Sequence, residues 1–298
     1  MTTPPAHHRD SVPAWAWANV LSLDAVSVGL VWLFVFTDQF CHRSPSGYEL
    51  AIIGLSIWLV YTADRLFDSL HLDTAQSHTV RHRFHFRHRK TICVVWILAL
   101  ALDTAVVVSY ATESQLRWGC AAIATVLAYV VSVQFVKDAV GWFPKELRAG
   151  MVFAFGVSLN AWVEVAPEEL IALAVSVAMI ALVFTANCVT IAALESDMDR
   201  VQNFDSWVLR SPFAARVLPT ALGLHALVVA GLGVADVIPG ILAFCLIASD
   251  GLLLSLGRTL SSPMRCGGAQ ARPGPWVTLA DLALVFPVVV FSGVATIL

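Results

Sequence analysis

The chain is 298 residues long, 58% of them hydrophobic and only 13% charged, with a formal net charge of −3. Soluble domains usually carry about 25% charged residues, so this composition excludes an ordinary soluble enzyme; membrane lipids, and no nucleic acid, are the expected partners. Six scattered cysteines, without a C-x-x-C pair, support neither a disulfide framework nor a zinc site.

A membrane span needs roughly 20 mainly apolar residues to cross about 30 Å of hydrocarbon. Residues 1–14 are polar, lack the apolar core of a signal peptide, and read as a short tail. From residue 15 onward the pattern predicts one all-α domain of about nine transmembrane helices, at 15–37, 48–63, 91–110, 115–136, 147–165, 168–193, 213–232, 234–257 and 276–297. Breakers mark several boundaries, among them Ser44-Pro45-Ser46-Gly47, Pro144, Pro167, Pro212, Pro239-Gly240 and Pro273-Gly274-Pro275.

Connections at 64–90, 137–146, 195–212 and 258–275 hold most of the Lys and Arg. Arg43 and Arg117 alone fall on the other side. By the positive-inside rule the N-terminus is cytoplasmic and the C-terminus outside, most simply in a bacterial inner membrane.

Two acidic clusters close spans that run outside to inside. The second span ends in Tyr61-Thr62-Ala63-Asp64-Arg65-Leu66-Phe67-Asp68 and the sixth in Leu194-Glu195-Ser196-Asp197-Met198-Asp199-Arg200. Each carries carboxylates at i and i+4, one turn apart on one helix face. Like charges so placed destabilise a helix by a few tenths of a kcal/mol (~0.2–0.5); a divalent cation reverses that sign. Mg²⁺ suits such a site, taking one or two carboxylates plus water and substrate phosphates. Solvated helix ends paired with Arg65 and Arg200 are the plainer alternative. Asp197 lies elsewhere on its helix and is a reserve ligand only.

Other polar residues stand out. His78, His82 and His85 fall at i, i+4 and i+7, a metal-binding face or else part of a basic juxtamembrane loop touching anionic lipid. Asp24 and Asp103 lie within spans, where an acid is a functional candidate. Asn187 and His225 read as interhelical hydrogen-bond partners. Asp250 and Asp281 sit toward the cytoplasmic ends of their spans. A secondary transporter would place polar sites at mid-membrane; acids at span ends argue against one.

The two clusters, in their order and spacing, resemble the Asp-rich motifs of the UbiA superfamily of integral membrane prenyltransferases. Ala63 to Asp68 is similar to the back half of that family's first motif, and Glu195 to Asp199 to its second, with Glu in the leading place. Lys137, Pro144, Gly150 and Gly156 resemble the lysine-bearing connection and glycine-containing fifth helix. The chain departs from the family where Val60-Tyr61 replaces Asn-Asp at the head of the first motif, and where Ser22 precedes Leu23-Asp24 in place of Arg.

The resemblance implies a UbiA-like fold and transfer of an isoprenyl group from a prenyl diphosphate to a small lipophilic acceptor. It implies two Mg²⁺ ions held by Asp64, Asp68, Glu195 and Asp199. Lys137, Arg65 and Lys145 are then the diphosphate-binding cations. Trp58, Phe153, Phe155 and Phe184 are candidates for walling the prenyl pocket, where cation–π attraction contributes about 1–2 kcal/mol; Asp197, Asp24, Tyr61 and Asn187 are possible additions. A UbiA-like protein that binds an isoprenoid or diphosphate lipid without turning it over is the competing reading, favoured by Val60-Tyr61.

Overall fold

In the computed structural model, which describes residues 12–70, 79–134, 143–260 and 275–295, the elements are helical throughout. In chain order they are α1 (Trp17–Val20), α2 (Leu23–Cys41), α3 (Gly47–Leu70), α4 (Val80–Tyr110), α5 (Glu113–Gln134), α6 (Lys145–Val157), α7 (Leu159–Glu164), α8 (Leu170–Gln202), α9 (Trp207–Arg210), α10 (Pro212–Val234), α11 (Gly240–Leu260) and α12 (Trp276–Ala295). Seven of these, namely α2, α3, α4, α5, α8, α10 and α11, contain stretches long and apolar enough to cross a membrane. The protein is a polytopic helical bundle with seven such helices among the described residues, beside the nine spans expected from the sequence.

The physical reasons for the difference are local. The expected fifth span divides at Ser158, whose hydroxyl donates to the carbonyl of Ala154 (2.8 Å) and accepts from Trp162 Nε1 (3.1 Å). A side chain thereby competes for a helical carbonyl, and 13- and 6-residue helices result. The first span starts late: Ser22 adopts φ 58°, in the left-handed region, so α1 ends and α2 sets off afresh at Leu23.

The connections expected at 64–90 and 195–212 are in large part helix. The helix α3 runs on to Leu70, α4 already begins at Val80, and α8 extends to Gln202. Arg, Lys and Glu have good helix propensity, so charge does not end a helix; it only marks where the helix leaves the hydrocarbon. At 1.5 Å per residue the 33 residues of α8 reach roughly 50 Å, against about 30 Å of apolar core. The surplus carries Glu195 and Asp199 beyond the lipid tails. Thr79 caps α4, its hydroxyl accepting from His82 N at 3.3 Å. Asn203, in the left-handed region, closes α8, and Phe204 N donates to Asp199 O at 2.8 Å.

The core runs between α2, α6, α8, α10, α11 and α12, where Trp32, Phe36, Ile180, Leu246 and Leu284 are all but fully buried. Trp32 Nε1 donates to Leu284 O at 3.1 Å, tying α2 to α12. Gly150 permits the closest approach: a Cβ there would lie 2.7 Å from Ala181 O and 2.8 Å from Thr185 N of α8. In contrast, α4 and α5 keep their long apolar stretches at the surface, with Leu98, Val108, Ile123 and Leu127 exposed, as helices facing lipid do.

At the end of the bundle where α2 meets α3, Arg43 holds two elements together. Its guanidinium donates to Glu49 (2.6 and 2.9 Å) and to Glu164 at the end of α7 (2.5 and 3.0 Å). These bonds, led by that to Glu49, hold the Arg43 guanidinium above its already high pKa. The opposite end gathers the charged residues considered next.

Candidate functional site

Two helix ends and four helix starts meet at the charged end of the bundle. The last turns of α3 bring Tyr61, Asp64, Arg65 and Asp68 onto one face, at i, i+3, i+4 and i+7. The first turns of α4 add Arg81, His82 and His85; the last turns of α8 add Glu195 and Asp199; the start of α6 adds Lys145. Asp24 enters from the start of α2 and Asp281 from the first turns of α12.

The two acidic pairs converge. Asp199 interacts electrostatically with Glu195, Lys145, Arg81 and Asp68. Asp64 interacts with Asp68, Lys145, Arg65 and Arg81. Segments more than a hundred residues apart in sequence therefore share one field, in which Arg65, Arg81 and Lys145 stand among Asp64, Asp68, Glu195 and Asp199. Such a mixture is what burial demands, since an isolated charge removed from water costs several kcal/mol (~3–5 when its partner is lost).

Arg81 is the centre of it. Its Nη2 donates to Glu195 Oε2 at 2.5 Å, and the two side chains are only 12% and 6% exposed. Its Nε is buried and has no hydrogen-bond partner. His82 Nε2 stands 3.8 Å from Asp68 Oδ2, while its Nδ1 lies 3.0 Å from Thr79 Oγ1. Arg65 Nε donates to Ser22 Oγ at 3.2 Å, which explains why the left-handed turn before α2 is held under α3.

Beneath the charges lies a narrow cavity of about 20 Å³, lined by Tyr61, Gly150, Phe153, Phe184, Asn187, Cys188 and Asp281 among others. Phe153 meets Tyr61 edge-on (centroids 6.0 Å apart) and Phe184 likewise (4.8 Å). Asn187 Nδ2 donates to Asp281 Oδ1 at 2.9 Å.

Of the residues expected from sequence, Asp64, Asp68, Glu195, Asp199, Arg65 and Lys145 gather at this site, and Tyr61, Asn187, Phe153 and Phe184 line the cavity under it. Asp24 lies beside it, accepting from Asn19 Nδ2 at 2.7 Å and from Ala25 N at 2.9 Å. Three others lie elsewhere. Asp197 is 99% exposed and reaches only Arg200, at 4.0 Å. Trp58 is spent on the backbone, Nε1 donating to Leu21 O at 3.0 Å. Phe155 turns toward α5, its ring 6.2 Å from that of Trp118. Lys137 and His78 lie outside the described residues.

Arg81 was concealed in the sequence by its company. The run Val80 to Lys90 holds five Arg and Lys and three His, and looks like a uniform basic segment. Read at helical spacing, residues 81, 82 and 85 form one face, and these are the ones turned inward while Arg83, Arg87, Arg89 and Lys90 are exposed. His82 and His85 are drawn into this packing, His85 Nδ1 lying 3.0 Å from Arg81 O.

As arranged, the acids do not fit a resident metal. Arg81 occupies Glu195, His82 stands on Asp68, and among the described residues no three His, Cys, Asp or Glu side chains are grouped closely enough to hold an ion. What the arrangement offers directly is three cations, Arg65, Arg81 and Lys145, set among four carboxylates beside the cavity.

Two more buried acids sit apart from the site. Asp250 Oδ2 lies 2.6 Å from Nδ1 of His225, whose Nε2 faces Met179 O at 3.1 Å; this pairs α11 with α10 and α8. Asp103 accepts from Ser56 Oγ at 3.0 Å, joining α4 to α3. Both agree with the interhelical roles that polar groups play inside membranes.

Compared with protein-family models, curated proteins and solved structures, the chain matches none. The bundle and its charged end thus define the class, a polytopic helical membrane protein, and its chemistry rests on the site alone.

Proposed function

We propose that this protein is a UbiA-like membrane prenyltransferase, which moves an isoprenyl group from a prenyl diphosphate to a small lipophilic acceptor at a site facing the cytosol of a bacterial inner membrane. The observation that carries the reading is the convergence of Asp64 and Asp68 with Glu195 and Asp199, around Arg65, Arg81 and Lys145, directly over an aromatic-lined cavity.

The chemistry divides between the two levels. At the upper level Arg81, Lys145 and Arg65 bind the diphosphate and stabilise the charge that develops as it departs. The buried Nε of Arg81 still has a hydrogen to donate, which supports this reading. At the lower level the Phe153 and Phe184 rings stabilise the allylic cation and exclude water. The prenyl chain requires the cavity to open, because about 20 Å³ admits little more than a water molecule. The Mg²⁺ implied by the resemblance has ligands in the four acids only once Arg81 has left Glu195.

The Arg81–Glu195 pair also favours a second reading, a UbiA-like protein that binds an isoprenoid diphosphate without turning it over. One experiment separates them. Purified protein in lipid nanodiscs is given farnesyl or longer prenyl diphosphates with a panel of phenolic acceptors, with and without Mg²⁺, and pyrophosphate release is followed. Release that falls at least about 100-fold in Asp64→Asn and in Glu195→Gln supports the transferase. Tight diphosphate binding without release supports the binder. Neither binding nor release, at any chain length, overturns both.

A further inference from the structure

Below the diphosphate level lies a second constellation that the transfer reading does not use. The carboxyl groups of Asp24, from α2, and Asp281, from α12, are within hydrogen-bonding reach of each other. Two carboxyl oxygens brought that close repel each other unless a proton lies between them. Each member is fixed by a second bond: Asn19 Nδ2 and Ala25 N donate to Asp24, and Asn187 Nδ2 donates to Asp281. Arg65 and the Tyr61 hydroxyl also face the pair, which balances its charge.

Asp281 lines the cavity, and so does Asn187. Asn187 is 6% exposed, and its Oδ1 is buried with no hydrogen-bond partner. A buried carbonyl oxygen left unsatisfied is destabilising; a donor O–H arriving there relieves it. The hollow between these groups, about 20 Å³, fits one hydroxyl and not a ring.

We propose that Asp24, Asp281 and Asn187 form a hydroxyl-binding, proton-accepting subsite at the floor of the cavity. Its ligand is the O–H end of a phenol or alcohol, with the rest of the molecule lying toward Phe153 and Phe184. The O–H donates to Asn187 Oδ1, and the ionised member of the carboxyl pair receives the acceptor's proton. This deepens the transferase reading and rests on it for the reaction. The bond from the prenyl carbon to the diphosphate oxygen breaks, its electron pair leaving with diphosphate. A new bond forms from the acceptor to that carbon, and the displaced proton moves to the pair, which then holds two.

The subsite is tested without any diphosphate, so its failure is separable from failure of the transferase reading. Infrared spectra of the full chain in nanodiscs are recorded in H₂O and D₂O, alone and with phenol or toluene as probes. The expected result is a protonated-carboxyl band that shifts in D₂O, that is lost in both Asp24→Asn and Asp281→Asn, and that moves with phenol and not with toluene. Asn187→Leu keeps the band and loses the phenol response. A wild-type protein with no such band, or one in which phenol and toluene act alike, overturns the proposal. That wild-type arm decides the matter even if a variant fails to fold. Where the transferase assay succeeds, Asp281→Asn lowers turnover about 10²–10⁴-fold, the range of general-base catalysis.

Discussion

The ion pair between Arg81 and Glu195 makes the sharpest energetic prediction, because it joins α4 to α8 across 114 positions of sequence. Consider Arg81→Met, Glu195→Gln and the double variant. Both side chains are almost wholly buried, at 12% and 6% exposure. Removing one partner of a buried pair costs about 3–5 kcal/mol, chiefly because the survivor is left charged in poor solvent. Arg65 also interacts with Glu195 and softens the loss of Arg81, so about 3 kcal/mol is expected for Arg81→Met. Glu195→Gln leaves Arg81 beside Asp199, Asp24 and Asp68, which still offset its charge; its cost is smaller, about 1–2 kcal/mol. The double variant removes both charges and is expected to lie at least about 1.5 kcal/mol above the sum of the singles. Reversible unfolding in mixed micelles, with helicity read by circular dichroism, measures all four corners. Additive effects within about 0.5 kcal/mol would refute the reasoning, and with it the claim that this pair organises the charged end.

Three further outcomes follow from the same geometry. Gly150→Val is expected to destabilise by about 1–3 kcal/mol through overpacking, since the contact with Ala181 O at 2.7 Å involves backbone that cannot turn aside; it also shifts Lys145 and weakens diphosphate binding, measured by titration with inorganic pyrophosphate. Asp197→Ala leaves both stability (within about 0.5 kcal/mol) and pyrophosphate binding unchanged, as its 99% exposure requires; a loss of binding would return it to the site. His225→Leu strands Asp250 in an apolar interior at a cost of about 3 kcal/mol, and His225→Leu with Asp250→Leu recovers most of it; thermal unfolding that ranks the double variant below the single contradicts the pairing.

The sequence by itself determined that the chain lives in a membrane as a helical bundle, because a solvent unable to hydrogen-bond leaves long apolar helices as the economical solution. It also singled out Asp64, Asp68, Glu195 and Asp199, since i, i+4 spacing of like charges is visible in one dimension and unfavourable without a partner. What those partners are, only the tertiary structure decided. Arg81 was one arginine among many until the first turns of α4 were set against the last turns of α8, and helix orientation alone separated it from Arg83. Tyr61, Phe153 and Phe184 became a lining, and Trp58 and Phe155 did not, through differences of one helical step in which face met the bundle. The same holds for the break at Ser158, where a hydroxyl competes with the helix in a way that hydropathy does not register. Asp24 and Asp281 make the point most plainly: they lie 257 residues apart, and nothing in the sequence joins them. Only the packing of the first long helix against the last brings their carboxyl groups within reach of each other.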